Sequence, residues 1–131
     1  MKNGVAHFEI YADDADSLGK FYASLFDWEL QPMKGMDYTW VKTVDTDEKG
    51  TPTQPGGING GLLKRPAGYT GTAWVNYVNV DSLDASVTKA KQLGARVTKD
   101  RSAVPGMGWF AMLADPQGNE FAMWQTDPQA K

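Results

Sequence analysis

An internal repeat constrains the fold of this chain more than any single motif does. Residues 5–30 (VAHFEIYADDADSLGKFYASLFDWEL) and residues 73–98 (AWVNYVNVDSLDASVTKAKQLGARVT) share one plan: an alternating strand, an acidic turn, an amphipathic helix and a new strand. A shift of 68 positions places Asp13 on Asp81. Because one unit of this size buries little apolar surface alone, we expect two copies to pair and to share a cavity.

The composition excludes several classes of function. The chain has 131 residues, a formal net charge of -3 and a pI near 5.0 without any cluster of basic residues, so we expect no nucleic-acid partner. It has no cysteine, which excludes disulfides, zinc–thiolate sites and thiol nucleophiles. No apolar run reaches membrane-spanning length and no signal-peptide pattern precedes the first strand, so we expect a cytoplasmic protein without a membrane partner.

The periodicity of the apolar residues predicts the order βαβββ twice, in module 1 (about residues 1–65) and module 2 (about residues 72–127). Acidic and hydroxyl residues open each predicted helix, and Gly94 ends the second. The predicted strands are Val5–Tyr11, Trp28–Met33, Tyr38–Val44, Gly57–Lys64, Thr72–Val80, Arg96–Lys99, Trp109–Leu113 and Glu120–Thr126. The apolar stripes of the helices are Leu18, Phe21, Tyr22, Leu25 and Phe26 in the first, and Leu83, Val87, Ala90 and Leu93 in the second.

Two segments between or after these elements are predicted as irregular, and the fourth strand carries an unusual run of glycines. Ser102–Gly108 is rich in proline and glycine and is interpreted as a loop, and Asp127–Lys131 as a frayed tail. Four glycines between Gly56 and Gly61 make the fourth strand a poor one by propensity. Such a run indicates a bulge, a kinked edge, or backbone that another group approaches closely.

The first strand presents an unusual polar face. Phe8 and Ile10 alternate with His7, Glu9 and Tyr11, so a helix is expected to cover the first pair and leave the other three facing away from it. A carboxylate at mid-strand is costly unless it is paired or solvated, so Glu9 should contact water, His7 or a cationic ligand.

The element order, His7 in the first strand and the DPQGNEF turn before the last strand together resemble the vicinal oxygen chelate superfamily. This is the superfamily of glyoxalase I, bleomycin-resistance proteins and extradiol dioxygenases, and the resemblance covers essentially the whole chain. It implies an α+β fold of two βαβββ modules, a curved and mostly antiparallel sheet, and a ligand in a cup-shaped cavity. Members of this size usually dimerise, so a homodimer is expected.

The resemblance also implies four metal-ligand positions, of which this chain keeps one. The first falls on His7. Its repeat mate is Val75, and the position in the last strand is Ala122, neither of which can bind a metal. The fourth falls in the stretch Asn59–Gly61, which has no carboxylate or imidazole. A divalent metal needs three or four converging donors, so we expect no metal and no cofactor, with a rearranged site of His7, Glu9 and Glu120 as the alternative.

Two interpretations of the polar face remain open. His7 beside Glu9 would act as a general base whose imidazolium the carboxylate stabilises, or it would only donate a hydrogen bond in a partly wet pocket. We expect an aromatic wall beside them from Trp40, Trp109 and Trp124, whereas Trp28 and Trp74 should pack elsewhere. The expected ligand-binding residues are His7, Glu9, Tyr11, Trp40, Asn59, Val75, Tyr77, Trp109, Ala122 and Trp124.

The sequence therefore favours a metal-free protein that binds a small aromatic or amphipathic organic compound in the sheet cavity. One alternative is a glyoxalase-like lyase or isomerase, or a dioxygenase, that uses a displaced metal site or His7/Glu9 acid–base catalysis. Another is a subunit that acts mainly by association through its sheet edges and exposed aromatic residues.

Overall fold

A computed structural model of the chain describes residues 2–131, and it groups them in two compact units. One unit is His7–Trp74; the other comprises residues 2–6 and Val75–Lys131. The elements are β1 (Val5–Ala12), α1 (Ala15–Phe26), β2 (Glu29–Pro32), β3 (Tyr38–Lys42), β4 (Gly60–Lys64), β5 (Trp74–Asn79), α2 (Leu83–Gln92), β6 (Arg96–Val104), β7 (Gly108–Ala114) and β8 (Glu120–Thr126). The predicted order βαβββ followed by βαβββ is confirmed.

The first unit pairs its strands in the order β2-β3-β4-β1. The pairs β2/β3 and β3/β4 are antiparallel and the pair β1/β4 is parallel. One face of these strands packs against α1, and we call it the helix face of the unit; the opposite face is its far face. The core on the helix face consists of Phe8, Ile10, Ala12, Val41 and Leu62. The alternation of β1 predicted this face correctly.

Helix α1 begins and ends with local chemistry that the sequence indicates. The Asp14 side chain accepts a hydrogen bond from the backbone N–H of Ser17, which satisfies one of the unpaired donors at the helix start. The helix ends at Asp27, which has a left-handed φ of 61°. Gly19 is buried, and a Cβ there would lie 3.0 Å from Leu30 and 3.2 Å from Leu62, so the glycine lets the helix approach the strands closely.

The second unit repeats this plan with the order β5-β8-β7-β6, in which only β5/β8 is parallel among the described pairings. Helix α2 starts at the N-cap Ser82, 68 positions after Asp14, and Gly94 follows it with a φ of 103°. The Gln125 side-chain oxygen accepts from the backbone N–H of Leu83, which ties β8 to the helix start. Leu83, Ala111, Leu113 and Met123 form the core on the helix face of this unit.

Three expectations about the second module are wrong. The segment Ser102–Val104 belongs to β6, which continues through two register irregularities, and only residues 105–107 form a turn. Leu93 is 70% exposed because the helix has already ended at Gln92. The tail is held rather than frayed, since the Ala130 carbonyl accepts from Gly106 N–H and Ala130 is buried.

The turn before β8 forms as its residues predict. Asp115 N–H donates to the Asn119 carbonyl, and the Asp115 carboxylate accepts from the backbone N–H groups of Gln117 and Asn119. Hydrogen bonds from Asn119, followed by that from Gln117, lower the pKa of Asp115. Among residues 2–131, neither helix has the length and apolar character needed to cross a bilayer.

Candidate functional site

Three polar side chains meet on the far face of the first unit. The Tyr38 hydroxyl donates to Glu9 Oε2 at 2.9 Å, and His7 Nε2 lies 3.2 Å from the Tyr38 oxygen. His7 Nε2 and Glu9 Oε2 are 3.5 Å apart, with 25% and 13% of the two side chains exposed. Thus the predicted neighbours His7 and Glu9 are in contact, and Tyr38 connects them.

The geometry of this cluster depends on a glycine in the strand between its members. Tyr38 lies on β3 and Glu9 on β1, and these strands are separated by β4. Gly61 of β4 is aligned with Glu9 on one side and Trp40 on the other. A Cβ at residue 61 would overlap the Tyr38 hydroxyl, so only glycine leaves the Tyr38 side chain room to cross β4. The glycine run therefore marks close approach of another group, one of the alternatives that the sequence left open.

The direction of the hydrogen bonds places the protons of the cluster. Burial and the negative charge of Glu9 raise the pKa of Tyr38 far above its ordinary value, so the phenol stays neutral and donates to the carboxylate. With its proton directed at Glu9, the Tyr38 oxygen is an acceptor toward His7. This assignment puts a hydrogen on His7 Nε2. The hydrogen bonds then run from His7 to Tyr38 and from Tyr38 to Glu9.

An aromatic wall flanks the polar cluster. Trp40 packs edge-to-face against both His7 and Tyr38, with ring centroids 6.0 and 5.3 Å apart. Tyr11 is on the same face of β1 as Glu9 and packs edge-to-face against Tyr69 at 4.6 Å. Tyr11 is buried and Trp40 is half-buried. The far face of this unit thus combines flat apolar surface with hydrogen-bonding groups.

Asn59 has a structural role in the first unit. Its side-chain oxygen accepts from the backbone N–H groups of Thr43 and Val44 at 2.8 and 3.0 Å. Its side-chain nitrogen donates to the Val44 carbonyl at 3.2 Å. These bonds replace ladder pairing where β3 ends, so the amide of Asn59 holds backbone rather than extending toward His7.

The remaining predicted residues lie in the second unit, and all of them except Trp109 are on its far face. Tyr77 pairs with Ala122, and Phe110 with Trp124, so Tyr77, Ala122 and Trp124 share the far face. Val75 lies two residues before Tyr77 on that same face and is fully buried.

Trp109 is on the helix face of the second unit, so the expectation that it shares a wall with Trp124 is wrong. It packs against the core that contains Leu83. Its indole N–H donates to Asp127, and the Arg101 guanidinium lies 4.1 Å from the ring centroid. Trp28 and Trp74, expected to pack elsewhere, do lie against Phe8 on the helix face of the first unit.

The residues at the implied metal-ligand positions do not fit a metal. His7 supplies one nitrogen, whereas Val75 and Ala122 supply no donor and the Asn59 amide is committed to backbone groups. No three His, Asp or Glu side chains among residues 2–131 are grouped so as to hold an ion. The rearranged site with Glu120 is therefore not formed; Glu120 accepts a hydrogen bond from the Thr98 hydroxyl.

Tyr38 was absent from the residues predicted for this site. Two signals in the sequence point to it. It lies two residues before Trp40 in an alternating strand, so the two share a face. The facing strand carries glycine at residue 61, which leaves space for a large side chain to cross. The second signal becomes readable only once the register of β3 against β4 is known.

Comparison with known families gives a match over most of the chain. The model of the glyoxalase-like domain matches residues 7–124. The Mycobacterium bovis protein CFP32 is 28% identical over 124 residues, covering 92% of this chain and 43% of its own length. The anthracycline biosynthesis protein DnrV of Streptomyces peucetius is 26% identical over 134 residues, covering 92% of this chain and 46% of its own length. The chain thus spans less than half the length of these two relatives.

Solved structures share the fold at low identity. A glyoxalase/bleomycin resistance protein/dioxygenase superfamily member from Vibrio splendidus has a TM-score of 0.63 and 12% identity, covering 96% of this chain and 100% of its own. A methylmalonyl-CoA epimerase bound to methylmalonyl-CoA has a TM-score of 0.64 and 17% identity, covering 100% of this chain and 99% of its own. At these identities the likeness shows the fold alone.

Proposed function

The chain belongs to the glyoxalase-like domain family, and from this premise we propose that it binds a small aromatic or amphipathic organic compound without a metal ion. The observation that carries the proposal is the His7–Tyr38–Glu9 cluster beside Trp40 on the far face of the first unit. Ligand sites commonly combine apolar and aromatic walls with a few fixed polar groups. Here the polar groups would orient the compound and Trp40 would stack against it.

The chemistry of the cluster supports binding of a polar group on a flat molecule. Glu9 is an acceptor for a cationic or N–H group, and a hydrogen on His7 Nε2 makes that ring an edge donor. A cation held near Glu9 would also be attracted to the Trp40 ring face. DnrV is named for anthracycline biosynthesis, and anthracyclines are flat aromatic compounds, the class proposed here.

A second candidate function is metal-independent acid–base catalysis by His7 and Glu9. The observation that favours it is the continuous chain of hydrogen bonds from His7 through Tyr38 to Glu9, because such chains position protons for transfer. In that case His7 is a catalytic residue and Tyr38 a positioning residue. The two functions differ in what His7→Ala removes: in the first the variant binds the compound more weakly and has no turnover to lose, whereas in the second turnover is lost even where the compound still binds.

The proposal is tested with a thermal-shift screen of flat aromatic compounds, followed by tryptophan-fluorescence titration of each compound that raises Tm. Trp40→Phe should weaken binding several-fold, because the smaller phenyl ring stacks over less area and attracts a cation less strongly than indole does. Trp109→Phe is the matched control, because Trp109 lies on a helix face, and it should bind normally. A chelator should leave the affinity unchanged. The proposal fails if no compound binds, or if binding requires added metal.

A further inference from the structure

Side chains on the far face of the first unit lie in rows across β1, β4 and β3. In the row at one end of this face, Tyr11 is aligned with Leu63, and Leu63 with Tyr38. The next row consists of Glu9, Gly61 and Trp40. Rows on one face are two residues apart along a strand, which is about 7 Å. A ligand lying along this face would therefore meet different chemistry at its two ends.

The end that carries Tyr11 is largely apolar. Tyr11 is buried and Leu63 is half-buried. Tyr69, in the segment that joins the two repeats, packs edge-to-face against Tyr11, and its hydroxyl donates to the Thr72 carbonyl at 2.7 Å. Gly68, with a left-handed φ of 80°, lies in the turn that precedes Tyr69. Because aromatic and aliphatic side chains dominate here, this end suits the apolar body of a compound.

The opposite end of the far face carries a lysine, Lys42. It follows Trp40 by two residues in β3 and is aligned with Glu29 of β2, so its side chain leaves the sheet on the far face. Carried one residue further, the register of β3, β4 and β1 places Lys42 and His7 on either side of Asn59. Since neighbouring strands are about 4.8 Å apart, about 10 Å separates the backbones of Lys42 and His7. Lys42 thus shares a row with His7, at the end away from Tyr11.

Glu9 and Lys42 differ in how well the protein satisfies their charges. Glu9 accepts a hydrogen bond from Tyr38 at 2.9 Å. Lys42 is half-buried, yet its ammonium group forms no hydrogen bond or ion pair with residues 2–131, not even with the exposed Glu29 aligned beside it. A lysine places its stem along the protein surface and leaves its charged group accessible. The charge without a partner is therefore a cation, and an anionic group of a ligand would satisfy it.

We propose that Lys42 selects compounds with an anionic group, so that the ligand of the first unit is a flat aromatic carboxylate, sulfonate or phosphate. This inference rests on the proposed function and narrows it to one class of compound. The anionic group lies at Lys42, and the aromatic body stacks on Trp40 and extends toward Tyr11. An anion in this position avoids Glu9, because one row and two strands, about 12 Å, separate the backbones of Glu9 and Lys42.

The test uses two fluorescent probes that differ by one charged group. Anilinonaphthalene sulfonate and N-phenylnaphthylamine share an aromatic frame, and only the first is an anion. Lys42→Met should weaken binding of the sulfonate about tenfold, because a charged hydrogen bond is lost, and should leave the affinity for the neutral probe nearly unchanged. Lys42→Arg should restore the affinity for the sulfonate. Trp40→Phe should weaken both probes, which assigns both to this face.

Lys64→Met is the matched control. Lys64 is exposed and is aligned with Ala12 of the helix-face core, so it lies on the other face of the same strands, and both affinities should stay unchanged. Circular dichroism establishes that the variants fold. Selection by Lys42 is refuted, and the proposed function stands, if Lys42→Met leaves the affinity for the sulfonate unchanged, weakens both probes alike, or does no more than Lys64→Met. If neither probe binds the wild-type chain, the proposed function and this inference fail together.

Discussion

Tyr38 is the residue on which the arrangement of the candidate site depends. It gives the Glu9 carboxylate a hydrogen-bond donor at 2.9 Å in a position where only 13% of that side chain is exposed. A carboxylate so placed needs such donors, because burial of a charge without partners is costly. Tyr38 also lies within 3.2 Å of His7, so it sets the positions of both titratable groups.

Removal of the Tyr38 hydroxyl should destabilise the fold measurably. We expect Tyr38→Phe to lower the free energy of unfolding by about 1–3 kcal/mol, because Glu9 loses a hydrogen bond in a largely buried position. Urea unfolding at neutral pH measures the change. Tyr22→Phe is the control, since it keeps the ring contacts with Trp28 and Trp74 and should cost less than about 0.5 kcal/mol. Equal losses in both variants would show that the hydroxyl at residue 38 has no special role.

The raised pKa of Tyr38 predicts a loss of stability in alkali. In the unfolded chain this phenol loses its proton near its ordinary pKa of about 10, whereas in the folded chain burial and Glu9 keep it protonated. Above about pH 10 the unfolded state therefore binds fewer protons, and the free energy of unfolding falls by at most about 1.4 kcal/mol per pH unit from this residue.

Comparison with Tyr38→Phe isolates that contribution. The difference in unfolding free energy between wild type and variant should be constant at neutral pH and should shrink as the pH rises above about 10. Urea titrations at a series of pH values provide the measurement. A constant difference up to the alkaline limit would mean that Tyr38 ionises alike in the folded and unfolded chain.

At the level of single residues, the sequence patterns predicted which face of a strand a side chain lies on, but not which residues it contacts. The alternation of β1 correctly placed His7 and Glu9 away from the helix, because side-chain direction in a strand has period two. It could not reveal that Tyr38 crosses a neighbouring strand, since that depends on register. It also failed for Trp109, whose side is set by pairing with β8 and by the bond to Asp127.

At the scale of elements, β4 needs two residues without side chains, because side chains of the neighbouring strands lie over it on both faces. Gly60 lies under Phe8 on the helix face and Gly61 under Tyr38 on the far face. The two glycines give β4 a low strand propensity, and they are needed because Phe8 and Tyr38 approach its backbone from opposite faces.

Gly61→Ala should disturb the candidate site through this strand. Its Cβ would overlap the Tyr38 hydroxyl, so we expect a loss of about 1–3 kcal/mol from overpacking. Gly4→Ala is the control, because nothing lies within 4 Å of a Cβ there. In a Tyr38→Ala background the cost of Gly61→Ala should fall, and urea unfolding of the four chains in this double-mutant cycle measures the coupling. Additive losses would show that the two positions do not interact.

Element boundaries were predictable where a local signal sets them. The caps Asp14 and Ser82 mark both helix starts, and the Asp115 turn marks the start of β8. The length of β6 was not predictable, since pairing with β7 carries it through two irregularities that break its alternation.

For the molecule as a whole, the repeat predicted the element order because each copy encodes the same strand–helix–strand plan. The copies differ in what they add to it. The first unit carries the polar cluster, and the second places apolar Val75 and Ala122 where the resemblance implies metal ligands. The repeat specifies the scaffold, so function is to be sought in the positions where the two copies diverge.

The donor content of the whole chain leads to a prediction about metal binding. The single histidine, the absence of cysteine and the engagement of Glu9 by Tyr38 leave too few converging donors among residues 2–131 for a transition metal. After incubation with nickel, zinc or manganese and desalting, the metal content by mass spectrometry should be far below one ion per chain. His7→Ala should give the same value, because residual metal would be bound at scattered surface carboxylates. One ion per chain that is lost in His7→Ala would refute metal-free binding and favour a catalytic role.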